Sequence, residues 1–348
     1  MAKSSKSNLR SGIIIFVSIL FAVFSFYGYQ ILLTANFQVK KKDNDTVFYI
    51  KQGATYEQVV DSLKKKDILH DVISFRFLAK LMGYPEKITP GAYLIKKDDN
   101  NLGVLKRLIK GRQATFKLTF NNIRLKEDFA KKVESQINLR ADSLYAALNN
   151  QAVCKKYGFD TSTIMCMFIP NTYEVYWYQN TESFLDKMFK EYDKFWTVAR
   201  QEKAKEMGLT PIQVQILASI VEAETNQKSE KPRIAGVYFN RYLKKQKLQA
   251  DPTVKFALKQ FDLKRIYFGH LETDNPYNTY KYVGLPPGPI NIPSIVSIES
   301  VLNYEKHDYY FFCADLSTPG YHKFAKNFND HLLIAKEYRT KSDSLKIK

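Results

Sequence analysis

Glu222 and Glu224 stand one residue apart at the end of a run, Thr210 to Thr225 (TPIQVQILASIVEAET), that carries no other charge. Two carboxylates leaving an apolar segment are candidates for proton transfer. A carboxylate at a helix C-terminus meets the negative end of the helix dipole. Partial burial penalises its charged form as well. Both effects favour the protonated acid near neutral pH, which a general acid requires. The plainer reading is that the two glutamates mark where a buried helix reaches water.

The element that positions them is legible. Thr210 is a good N-cap, Pro211 suits the first helical position, and Gln213 completes a capping box. Ile212, Val214, Ile216, Leu217, Ala218, Ile220 and Val221 leave almost no polar face, as in a helix buried on all sides. A second helix is predicted from about Glu230 to Lys244, carrying Arg233, Asn240 and Arg241. Asp251-Pro252-Thr253 reads as an N-cap followed by a first-turn proline, opening a third helix. The stretch DNPYNTYKYVGLPPGPINIPS then gathers Pro, Gly, Asn and Tyr into one long irregular loop, which is unusual without a functional reason. Asn240, Asp251, Tyr277, Asn278 and Tyr280 are candidates for substrate contact or support. Asp251 as a helix cap and Asn278 as a loop stabiliser are the structural alternatives, and Pro286, Pro287 and Gly288 shape the loop.

Near the N-terminus, Gly12 to Leu33 (GIIIFVSILFAVFSFYGYQILL) has no charged residue. At about 1.5 Å per residue it is long enough for a hydrocarbon core of about 30 Å. Lys3, Lys6 and Arg10 precede it without an acid, so the tail is expected in the cytoplasm and the rest outside. A cleaved signal peptide would have a shorter apolar core and a small-x-small site, and TANF offers none.

The chain has 348 residues, 45% hydrophobic and 25% charged, enough for at least two folded units. The net charge of +18 suits a polyanion or an anionic membrane surface. Zinc-finger spacing, a recognition-helix pattern and an arginine-rich arm are all missing, so no nucleic-acid partner is expected. Three cysteines, Cys154, Cys166 and Cys313, are too few and too odd for a disulfide framework; buried thiols are the expectation, with a Cys154–Cys166 bridge as the alternative. His270, His307, His322 and His331 are scattered without ligand spacing, so neither metal nor cofactor is expected.

Between anchor and candidate helix, KKKDND at 40–45 reads as a tether. TVFYIKQGATYEQVVDSLKKKDIL follows with strand, turn and helix, Val59, Val60, Leu63 and Ile68 forming its buried stripe. GAYLI at 91–95 is a returning strand, and NLGVLKRLIKG a helix ending at Gly111. ATFKLTFNNIRLKEDFAKKVESQINL repeats strand, turn and helix, consistent with duplication of a small α/β module. FIPNTYEVYWY at 168–178 alternates as a strand rich in aromatics, which suits either a buried strand or a sugar-stacking face. The first small module resembles LysM-type modules, which bind N-acetylglucosamine-containing glycans.

ASIVEAET, VYFNRY, LQADPTVKFAL, NPYNTYKYVGLPPGPINIPS and YHKF…NDHLL, in this order and spacing, resemble the MltG/YceG family of endolytic murein transglycosylases. FIPNTYEVY is similar to that family's F-x-P-D-T-Y element, with Asn171 where an acid is common. The resemblance covers about 165–335 and 45–150, and includes the anchor. It implies a lyase that cuts the MurNAc–GlcNAc β-1,4 bond inside nascent peptidoglycan strands, leaving 1,6-anhydro-MurNAc ends. It places the catalytic acid on Glu222, with Glu224 as a supporting candidate, and it implies peptidoglycan synthases as partners.

The expected class is α+β: a cytoplasmic tail (1–11), a transmembrane helix (12–33), a tether (34–45), a LysM-like module (46–112), a second small module or linker (113–160) and a mixed α/β catalytic domain (161–340). The expected location is the inner membrane, single-pass, with the catalytic part outside the cytoplasm. Two rivals remain open: a non-catalytic wall-binding scaffold for synthases, and a hydrolytic muramidase using a second carboxylate such as Asp251.

Overall fold

A computed structural model describes residues 2–39, 45–263 and 265–344. The chain forms two compact units, Met1–Phe116 with Glu174–Gln179, and Lys117–Tyr173 with Asn180–Lys348. Of the segment expected as a tether, 34–45, residues 40–44 lie outside the described residues, and Asn36 and Phe37 are buried rather than free.

The first unit opens with helix α1 (Ala2–Leu33). Its stretch Leu9–Leu33 is long and apolar enough to cross a membrane, with a mean hydropathy of 2.2, and none of it is buried by protein. Strand β1 (Asp45–Ile50), helices α2 (Tyr56–Lys65) and α3 (Val72–Leu81), strand β2 (Gly91–Lys96) and helix α4 (Asn101–Ile109) follow. β1 and β2 pair antiparallel, from Asp45 opposite Lys96 to Ile50 opposite Gly91. Thr55 and Gln58 close a capping box on α2, whose Val59, Val60 and Leu63 face the core as the sequence stripe predicts. Asp71 caps α3 by accepting from the Ile73 and Ser74 amides. Phe48, Leu63, Phe75, Leu78, Tyr84, Tyr93 and Leu105 fill the interior.

Residues just past α1 are held against this core. Ala35 and Phe37 make single bridges to Asn100 and Leu69. Asn36, almost fully buried, donates through Nδ2 to Asn101 Oδ1 (2.8 Å) and the Asp71 carbonyl (2.8 Å), while its Oδ1 accepts from the Asp71 amide (2.6 Å).

Strand β3 (Thr115–Phe120) pairs with β4 (Asn171–Tyr176), shorter than the aromatic run suggested; α5 (Lys126–Glu134), α6 (Ala141–Leu148) and α7 (Gln151–Lys156) lie between them in sequence. After β4 come α8 (Thr181–Phe195), α9 (Val198–Glu206), α10 (Pro211–Glu224), α11 (Lys231–Leu243), α12 (Asp251–Leu258), α13 (Phe268–Leu271), α14 (Ile295–Leu302), the hairpin β5 (Phe311–Ala314) with β6 (His322–Ala325), and α15 (Phe328–Ser344). The fold is thus mixed α/β behind an N-terminal apolar helix.

Helix α10 is the axis of the second unit. Val214, Leu217, Ala218, Ile220 and Val221 pack with Ile234, Ala235, Tyr238 and Phe239 of α11 and with Ile298, Val301 and Leu302 of α14. The proline-rich loop is pinned to this axis: Ser219 Oγ accepts from the Ile290 amide (3.0 Å), and Asn291 Nδ2 donates to the Ser219 carbonyl (2.8 Å). Two glycines permit close backbone approach. A Cβ on Gly288 would lie 2.1 Å from the Ser162 carbonyl oxygen, and one on Gly236 would lie 2.4 Å from that of Glu305. The three cysteines are free thiols.

Candidate active site

Thr210 and Gln213 form the predicted capping box, and α10 ends at Glu224 with Thr225 as C-cap. The two glutamates at this end have different surroundings. Glu222 Oε2 accepts from Lys231 Nζ (2.8 Å), Ser294 Oγ (2.5 Å), the Ser294 amide (3.3 Å) and Ser297 Oγ. Lys231 also donates to Ser297 Oγ (2.7 Å), and its side chain is only 5% exposed, against 15% for Glu222. Burial pushes the Glu222 carboxyl up, but the bonds from Lys231, Ser294 and Ser297 outweigh it and hold the pKa below the usual carboxylate value. Glu222 is therefore an anion that clamps α10 to α11 and α14.

Glu224 borders a cavity of about 360 Å³. Burial pushes its pKa up to about 7, aided by the nearby negative charge of Asp251 and opposed by a hydrogen bond from the Tyr238 hydroxyl and by the charges of Lys255 and Arg241. The expectation that both glutamates have raised pKa values thus holds at Glu224 and fails at Glu222, because the buried Lys231 reaches Glu222 and not Glu224.

The cavity gathers Glu224, Asp251 and Tyr280 of the sequence candidates, with Tyr238 and Arg241 from α11, Leu248 and Gln249 from the turn before α12, Phe311 and Phe312 from β5, and Phe328 and His331 from α15. Tyr280 donates to Asp251 Oδ1 (2.6 Å). Asp251 is not the helix cap that the Asp-Pro pair suggested. Ala250 occupies the cap position and Asp251 is the first helical residue, so its carboxylate is available to the cavity. Arg241 is held by the carbonyls of Tyr310 (2.6 Å) and Leu248 (2.8 Å) and by Gln249 Oε1 (3.1 Å), and its guanidinium carbon lies 5.0 Å from the Phe311 ring centre. Phe311 also stacks on His331, centroids 5.2 Å apart. Acid, tyrosines and an aromatic wall together suit a polar ring-shaped ligand with a flat face.

The other candidates do not line this cavity. Asn240 donates to the carbonyls of His307 (2.7 Å) and Tyr309 (3.1 Å). Asn278, fully buried, donates to the carbonyls of Leu271 and Thr273 (2.8 Å each) and accepts from the Tyr280 amide (3.0 Å), which stabilises the loop. Tyr277 packs on Phe256 with centroids 4.7 Å apart. His322 binds the buried Glu230 (2.9 Å) rather than the cavity. Sequence reasoning did not assign Tyr238 or the β5 aromatics to the site. VYFNRY carries Tyr238 on the helix facing α10, and that was the only available signal. Among the described residues there is no cluster of His, Cys, Asp and Glu suited to a metal.

A family model described as the YceG-like family matches residues 48–337. A Bacillus subtilis (strain 168) protein named endolytic murein transglycosylase is 28% identical over 318 residues, 86% of this chain and 87% of the relative. A Streptococcus pneumoniae (strain ATCC BAA-255 / R6) protein of the same name is 27% identical over 338 residues; the match takes in 88% of this chain but 61% of that longer relative. A solved structure of a yceG-like protein from Listeria monocytogenes superposes with a TM-score of 0.53 at 24% identity, covering 83% of this chain and 98% of that one, which is a likeness of fold.

Proposed function

This chain belongs to the YceG-like family, and on that premise we propose that it is a membrane-anchored endolytic lytic transglycosylase of peptidoglycan, a lyase, with Glu224 rather than Glu222 as its acid. One observation carries the assignment of the acid: Glu224 borders the cavity with a pKa of about 7, while Glu222 is locked as an anion by Lys231. Two relatives named endolytic murein transglycosylase support the reaction class and the substrate.

The mechanism needs one carboxyl. Protonated Glu224 gives its proton to the glycosidic oxygen between MurNAc and GlcNAc as the C1–O bond breaks. The N-acetyl oxygen of MurNAc stabilises the positive charge at C1. The C6 hydroxyl then closes on C1, its proton returns to Glu224, and a 1,6-anhydro end is left. Tyr238 orients the carboxyl, and Asp251 keeps it protonated by charge. Ordinary glycosidases need a second carboxylate to act as nucleophile or to activate water. Asp251 shares the cavity with Glu224, so hydrolysis with Asp251 as base is the one competing reaction the site favours.

The same reading takes α1 as a single-pass anchor in the cytoplasmic membrane, with the N-terminus inside and the chain beyond α1 outside. The first unit is taken as a LysM-like glycan grip. A cavity of about 820 Å³ beside β1 and α2 supports that role, lined by Tyr49, Gln52, Gln58, Lys66 and Trp177, with the Tyr49 and Trp177 rings 4.8 Å apart. Nascent strands and their synthases are the partners this placement favours.

The test is digestion of purified glycan strands by the detergent-solubilised full chain, with products weighed by mass spectrometry. Anhydro ends support the proposal, reducing ends point to a muramidase, and intact strands leave a wall-binding scaffold.

A further inference from the structure

Helix α3 is apolar on two opposite sides. Phe75, Leu78 and Ala79 lie in the core. Ile73, Phe77 and Leu81 are 82%, 57% and 72% exposed, and a spacing of four residues sets them along one stripe. A helix that borders water normally turns a polar face outward. Here the outward face offers three large side chains with Lys80 among them.

The position of the stripe says what covers it. Asn101 Nδ2 donates both to the Ile31 carbonyl (3.0 Å), in the last turn of α1, and to Ser74 Oγ (3.1 Å), in the first turn of α3. Asn36 bonds both main-chain groups of Asp71, the α3 cap. Ile31, Leu32 and Val72 pack on the same core. The exposed stripe therefore begins within about one helical turn of the end of the apolar helix. Tyr27 and Tyr29, ring types that favour the headgroup level, lie about one turn before Ile31 on α1.

We propose that α3 rests on the outer leaflet of the bilayer that α1 crosses, with Ile73, Phe77 and Leu81 inserted at the boundary between headgroups and acyl chains. Lys80 reaches up from between them to a lipid phosphate, its stem lying on apolar surface. The occupant is the lipid surface itself, because the stripe begins beside the end of the apolar α1 and the chain carries a net charge of +18 that suits anionic lipid. This rests on the reading of α1 as an anchor.

The experiment uses the full chain in vesicles of phosphatidylethanolamine and phosphatidylglycerol, with and without bromine on the upper acyl chain. Three proteins are compared: the parent chain, whose Trp177 and Trp196 give the background, Phe77→Trp, and Phe24→Trp in α1. Insertion to about 5–10 Å predicts that the emission added by Phe77→Trp falls about twofold in brominated lipid. If the Phe24→Trp emission is quenched and that of Phe77→Trp is not, α3 lies in water or against protein, and the proposal fails while the anchor stands. A dimer in detergent that Phe77→Ser dissociates would identify a second copy as the cover, with the same consequence. Unquenched Phe24→Trp emission removes the anchor, and the proposal with it.

Discussion

Lys231 forms an ion pair of 2.8 Å with Glu222, and this contact separates two carboxylates that the sequence makes look alike. Removing one partner of a buried pair leaves the other charge without compensation. Glu222→Gln is therefore expected to destabilise the second unit by about 3 kcal/mol, read as a lower urea midpoint. The folded fraction should keep turnover within about tenfold of the parent chain. Because the Glu222 pKa is lowered on folding, its contribution is complete above the ordinary carboxylate range and is lost as pH falls through that range. Midpoints of the parent and variant should converge at acid pH. Glu224→Gln should do the reverse, leaving the midpoint equal or higher and losing turnover by about a thousandfold or more.

If Glu224 is the acid, the alkaline limb of kcat/KM belongs to it. With a pKa of about 7, the acid form fades above neutrality and kcat/KM should fall tenfold per pH unit there. Asp251→Asn removes a charge that raises this pKa, so the limb should move to lower pH. Tyr238→Phe removes a hydrogen bond that lowers it, so the limb should move to higher pH. A limb unmoved in both variants would take the titration away from Glu224.

The same raised pKa affects stability with the opposite sign from Glu222. A carboxyl that holds its proton more tightly when folded stabilises fully below the unfolded pKa, and that support is lost as pH rises toward about 7. Relative to Glu224→Gln, the parent chain should lose stability across that interval, as followed by thermal denaturation at fixed salt.

Gly236 and Gly288 approach fixed carbonyl oxygens. Overpacking against backbone is relieved only by moving an element, so Gly236→Ala and Gly288→Ala should each cost about 2 kcal/mol or more in urea unfolding. Gly208, where a Cβ would meet nothing within 4 Å, is strained only by its positive φ and should cost less as alanine.

Trp177 lines the first unit's cavity. If that cavity grips glycan, Trp177→Ala raises KM for long strands and leaves kcat unchanged, the signature of binding shared by ground and transition states. An equal fall in kcat would sink the idea of a separate grip.

Much of this was readable in advance, for local reasons. Thr210, Pro211 and Gln213 announce α10 because a capping box is written in adjacent residues, and Val59, Val60 and Leu63 announce α2 by their spacing. The choice between Glu222 and Glu224 was not readable. It depends on Lys231, Ser294 and Ser297 converging on one oxygen from two other helices, and no local pattern encodes that meeting. Asp251 was misread as a cap because Asp-Pro signals a helix start without fixing which residue stands outside it. Helix α3 was not assigned from sequence because its outward face is apolar too, which hides the helical period.

The joint at Asn36 has a mechanical consequence. If α1 is the proposed anchor, the 25 residues of Leu9–Leu33 set about 37 Å of helix against a hydrocarbon core of about 30 Å. An over-long helix relieves this mismatch by leaning over in the bilayer. The amide bridges from Asn36 and Asn101 leave no swivel between that helix and the folded unit beyond it. In such an anchor, any lean of the helix would be inherited by the folded residues beyond it, and membrane thickness would set their attitude.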